Sequence, residues 1–134
     1  MALIPSDTLV VVADGGSARL FRNGGDERAI SLHQVELREL MNMDDDGPAG
    51  SMPSESTGKQ IDEATFAKQL ALALNDGALK HQYEQLVLVA DPTTLGRMRP
   101  LLHKEVQARI IAEFPKTLTN APLEDIERAL RASA

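Results

Sequence analysis

At 134 residues, with 43% apolar and 25% charged side chains, the chain has the size and composition of one globular domain that needs no metal or disulfide staples. It has no cysteine, which excludes disulfides and thiolate metal sites, and with three Phe, one Tyr and no Trp its core must be aliphatic. A net charge of −6 argues against broad nucleic-acid binding, to DNA above all, but leaves room for a focused basic patch.

The opening residues, Met1 to Asp7, lack a basic segment followed by an apolar stretch, so no secretory signal is expected. No run approaches the roughly 18 apolar residues of a membrane span. The expected location is the cytoplasm, without membrane contact.

Residues 8–13 form an almost unbroken, β-branched apolar run that ends at Asp14-Gly15-Gly16-Ser17. Two glycines between strand-like segments fit a hairpin turn, where glycine accepts positive φ. Pairing through that turn sets Ala13 opposite Ala18, Val12 opposite Arg19, Val11 opposite Leu20 and Val10 opposite Phe21. The first strand then reads as buried on both faces and the second on one. Gly24-Gly25-Asp26 makes the next turn, and 29–40 reads as a third strand. Its apolar parity switches from Ile30 and Leu32 to Val35 and Leu37, which points to a β-bulge near His33-Gln34. The stretch 42–59 is rich in Asp, Gly, Pro and Ser, and is longer than an ordinary connection; it reads as a flexible, functional or disordered loop.

Thr57-Gly58-Lys59-Gln60 has the form of a capping box, and Phe66, Ala67, Leu70, Ala73 and Leu74 fall on one helical stripe. A long helix over 60–80 follows, weakened near Asn75-Asp76-Gly77. Residues 85–90 read as a buried parallel strand, and Asp91 as the cap of a short helix opened by Pro92 and limited by Pro100. The β-branched segment 106–114, followed by Pro115, reads as a strand, and Asn120-Ala121-Pro122 introduces a last helix carrying Leu123, Ile126 and Leu130. The expected order is βββαβαβα in one domain spanning 1–134, an α/β fold with a mixed β-sheet and helices on its faces.

Several runs then carry a resemblance. Val11-Val12-Ala13-Asp14-Gly15-Gly16-Ser17-Ala18-Arg19-Leu20-Phe21-Arg22 resembles the opening motif of the bacterial host attachment protein family. So do Asp62 with Phe66-Ala67, the run from Leu86 to Pro92, Leu95-Gly96-Arg97-Met98-Arg99, and Glu113-Phe114-Pro115-Lys116-Thr117-Leu118-Thr119. That family is similar to the middle domain of archaeal and eukaryotic class-1 peptide-chain release factors, whose fold is ribonuclease H-like. The resemblance implies such a fold here, and a partner in RNA, the ribosome or a protein. In those factors a Gly-Gly-Gln motif supports peptidyl-tRNA hydrolysis. The corresponding residues here are Gly58-Lys59-Gln60, and a lysine in the centre blocks the close backbone approach that glycine allows. Peptide release is therefore not implied.

Two sets of residues carry candidate chemistry. Asp14 and Asp91 end strands expected to be adjacent and parallel, where open α/β sheets bind ligands and where two carboxylates can seat a divalent ion. Each also has a local explanation, Asp14 as a turn residue beside Gly15 and Gly16 and Asp91 as a helix cap. Arg19, Arg97, Arg99 and Lys116 could hold phosphate or RNA backbone if they converge, or could pair with Asp14, Asp91 and Glu113. Asn42, Asp44, Asp46 and Gly47 mimic half of a calcium loop, but Pro53 stands where its closing bidentate Glu would be. His33, His81 and His103 lack zinc spacing, and no cofactor or metal fingerprint appears. The leading expectation is a non-enzymatic interaction module of the host attachment type. The alternative is a metal-dependent nuclease or other hydrolase using Asp14 and Asp91.

Overall fold

The computed structural model describes residues 4–26, 28–35 and 63–133. Strand β1 (Leu9–Ala13) is wholly aliphatic, so it is stable only where both faces are covered. It lies at the centre of a five-stranded sheet of order β3-β2-β1-β4-β5. β2 (Ala18–Asn23) pairs antiparallel with it in the register expected from sequence, Ala13 opposite Ala18 through Val10 opposite Phe21. β4 (Leu86–Ala90) pairs with β1 in parallel, and β5 (Ile110–Phe114) pairs in parallel with β4. β3 (Leu32–Val35) closes the other edge, antiparallel to β2.

Alternation along the strands divides the core in two. Leu9, Val11, Leu20, Leu86 and Leu88 face a layer made by α1 (Glu63–Leu79), α2 (Pro92–Met98) and α3 (Lys104–Arg109). Val10, Val12, Phe21, Val87 and Val89 face the opposite layer, where α4 (Leu123–Ser133) contributes Ile126 and Leu130. The fold is α/β, with a mixed sheet and helices on both faces. The stripe of Phe66, Ala67, Leu70, Ala73 and Leu74 on α1 is buried, and the helix runs unbroken through Asn75-Asp76-Gly77.

Four local expectations need correction. The turn glycines Gly15 and Gly16 are not in the left-handed region; the Asp14 side chain closes the turn by accepting from the N–H groups of Gly16 and Ser17, both at 2.8 Å. β2 is covered on both faces at its centre, with Leu20 on one side and Phe21 on the other.

The parity switch in β3 needs no bulge, because its pairing with β2 is continuous from Leu32 to Val35. Leu32 belongs to the α4 layer and Val35 packs on the α1 layer, so each apolar position serves a different face. The register shift in the sheet lies instead between β4 and β5, where Leu86 faces Ile110 but Val87 faces Ala112.

The segment 106–109 is helical, which adds α3 to the expected order. Val106 is buried on the α1 layer, and the His103 Nδ1 accepts the Glu105 N–H at 3.0 Å to cap the helix. Arg109 donates to the Tyr83 and Glu105 carbonyls at 3.0 Å each, fixing the point at which helix becomes strand. Of the segments discussed from sequence, 36–62 lies outside the described residues. It includes the 42–59 loop, the calcium-like residues, the capping box and Gly58-Lys59-Gln60.

Candidate functional site

Because β1 and β4 are parallel neighbours with Ala13 opposite Ala90, Asp14 and Asp91 leave the sheet side by side. From there the chain diverges, from β1 to β2 on one side and from β4 through α2 and α3 to β5 on the other. Open α/β sheets place ligands at such a divergence, beyond the carboxyl ends of the strands.

Asp14 is fully engaged. Its Oδ1 accepts from Gly16, from Ser17 and, at 3.3 Å, from the Ser17 hydroxyl, while Oδ2 accepts the Thr119 hydroxyl at 2.6 Å. Burial pushes the carboxyl pKa up, but the Thr119 hydroxyl and the donors of Gly16 and Ser17 outweigh it. The net result holds Asp14 below the usual aspartate range and therefore ionised at neutral pH. Asp91 caps α2, its Oδ2 accepting the Thr94 N–H at 3.1 Å and its Oδ1 the Thr94 hydroxyl at 2.8 Å.

The arginines are engaged as well. Arg19 stacks over the Phe21 ring, 5.1 Å from its centroid, and its Nη1 donates to the Thr119 carbonyl at 3.1 Å and the Ala121 carbonyl at 2.8 Å. Arg97 pairs with Glu63 at 3.0 Å and Arg99 with Glu113 at 2.5 Å. Both arginines are open to solvent, so these pairs contribute little to stability and can be exchanged for another anion. Lys116 is exposed, and its side chain has no hydrogen-bond or ion-pair partner among the described residues.

The structure thus gathers Asp14, Gly15, Gly16 and Arg19 with Thr119 at one end of the sheet. Arg97 and Arg99 reach different elements, α1 and β5. Gly58, Lys59 and Gln60 are outside the described residues.

Two participants carried no assigned role in the sequence reading. Thr119 is a buried polar residue in a loop, a position usually paired with a specific partner. Glu63, in the first turn of α1, leans over Gly15 so closely that a Cβ there would lie 2.5 Å from its Cδ. That approach, not backbone handedness, is what glycine provides at position 15.

Among the described residues no three His, Asp or Glu side chains are grouped to hold a metal ion, and no helix is long and apolar enough to cross a membrane. The family model of bacterial archaeo-eukaryotic release factor family 12 matches residues 7–130, from before β1 into α4. A search of curated proteins returns no match.

Proposed function

The chain belongs to bacterial archaeo-eukaryotic release factor family 12, and on that premise we propose that it is a non-enzymatic interaction module acting on RNA in the setting of the ribosome. The observation that carries this reading is the family match along residues 7–130. The candidate end of the sheet is compatible with it, since it holds exchangeable arginine pairs and an unengaged lysine in an otherwise acidic protein.

On this proposal the protein is one domain over 1–134, of release-factor middle-domain type, and works in the cytoplasm. Its resemblance to the host attachment family would then reflect an indirect effect on attachment. A protein partner is the alternative occupant of the same surface.

The nuclease or hydrolase reading rests on the adjacency of Asp14 and Asp91. It is less well supported, because every oxygen of both carboxylates already accepts a hydrogen bond from the protein.

Co-sedimentation with purified ribosomes tests the proposal. Binding at low salt that weakens steeply as salt rises is the expected result, since phosphate contacts release counterions. Failure to pellet with ribosomes or with deproteinised ribosomal RNA, even at low salt, would remove the reading's support.

A further inference from the structure

We propose that the 116–120 loop is the surface that touches RNA phosphates, and that Asp14 and Arg19 hold this loop in place and do not themselves contact RNA. The inference rests on the RNA-binding reading above and assigns its contact surface.

The loop follows β5 and precedes α4, and it is fixed from beneath at several points. Leu118 packs into the α4-side core, and the buried Thr119 hydroxyl is held by Asp14. The Thr119 and Ala121 carbonyls are held by one Arg19 nitrogen. Turn hydrogen bonds from Lys116 N–H to the Phe114 carbonyl and from Ala121 N–H to the Leu118 carbonyl, at 2.8 and 3.0 Å, fix the backbone between these anchors.

What remains on the outside is Lys116, Thr117 and Asn120, all exposed. An ammonium, a hydroxyl and an amide are side chains that hydrogen-bond phosphate oxygens. Between Glu113 and Glu124 the sequence contains no carboxylate, in a chain with 20 acidic residues. The loop's own outer face therefore carries no carboxylate, and its backbone is already ordered. Preorganisation of this kind reduces the entropy lost when a backbone phosphate is bound.

The division of labour explains why Asp14 and Arg19 look like ligand residues although both Asp14 oxygens and the Arg19 Nη1 are spent on the protein itself. A clamp of one carboxylate and one guanidinium, joined at one end of the sheet to a loop about 100 residues later, positions that loop whatever binds it.

Pelleting with ribosomes and with deproteinised ribosomal RNA, titrated with salt, tests the proposal on wild type, Lys116→Gln, Thr119→Val and Thr119→Ser. Lys116→Gln is expected to weaken binding about threefold to tenfold and to lower the salt slope by about one, the signature of a lost phosphate contact. Thr119→Val keeps the side-chain shape but removes the donor to Asp14. It should weaken binding to both probes, and Thr119→Ser should restore it, with melting curves confirming that each variant is folded. Wild-type binding with an unchanged affinity and salt slope in Lys116→Gln would overturn this inference and leave the proposed function standing. Binding to ribosomes but not to the naked RNA would assign the surface to a protein partner and overturn it too. No wild-type binding to either probe would overturn both.

Discussion

The Thr119 hydroxyl donates to Asp14 Oδ2 at 2.6 Å, joining residues 105 positions apart in sequence. This bond ties the β1–β2 turn to the loop before α4, and with Arg19 it converts two candidate ligand residues into scaffold. The consequence is measurable by acid titration. Asp14 ionises below the ordinary aspartate value of 3.8 in the folded protein, so its ionised form stabilises the fold above that pH. The contribution fades as pH falls below 3.8 through the folded-state value. Asp14→Asn should therefore be less stable than wild type at neutral pH, with the gap closing in strong acid. Urea unfolding across pH would show this, and a pH-independent gap would contradict it.

The neighbouring glycines should respond oppositely to the same substitution. Gly15→Ala places a Cβ against Glu63, whose exposed side chain must then shift and disturb its pair with Arg97. The expected cost is below about 1 kcal/mol, in keeping with an exposed ion pair, and it should vanish in a Glu63→Ala background. Gly16 has open space around it and no positive φ, so Gly16→Ala should be neutral or stabilise by about 0.4–1 kcal/mol through the unfolded state. Denaturation midpoints of wild type, Gly15→Ala, Glu63→Ala and the double variant close the cycle, with Gly16→Ala measured beside them.

Tyr83 offers a spectroscopic check on the α1 layer, being the only tyrosine in a chain without tryptophan. Burial pushes its phenol up, the nearby Arg109 charge pulls it partly back, and the net shift is well upward. Its hydroxyl donates to the Leu74 carbonyl at 2.8 Å. Absorbance should show little phenolate at about pH 10, where an ordinary tyrosine is half ionised, with the signal appearing only on unfolding. Tyr83→Phe should cost about 1 kcal/mol for the lost hydrogen bond.

The likeness to release factors was legible in sequence because the motifs that suggested it lie along the chain in order, and the match to release factor family 12 spans 7–130. The roles of the motif residues were less legible. Arg97 and Arg99 stand two positions apart in sequence, yet they reach Glu63 on α1 and Glu113 on β5. Glu113 was among the expected carboxylate partners, but nothing in the spacing indicates Glu63 or which arginine takes which acid. Thr119 ends the Glu113–Thr119 motif, but its role exists only because Asp14 is brought to it.

The β1–β2 register, the buried parallel β4, the Asp91 cap and the apolar stripe of α1 follow from sequence alone. Each rests on local physics, a tight turn or a period of two or 3.6 residues. The tertiary structure alone decided that β3 serves both faces without a bulge, since that depends on helices covering the sheet on both sides. Residues 106–109, where β-branched content favoured a strand, belong instead to the helix Lys104–Arg109, with Val106 buried on the α1 layer. Asp14 and Arg19 are clamps because the fold carries Thr119 to them, and a pairing across 105 residues leaves no periodic trace in the chain.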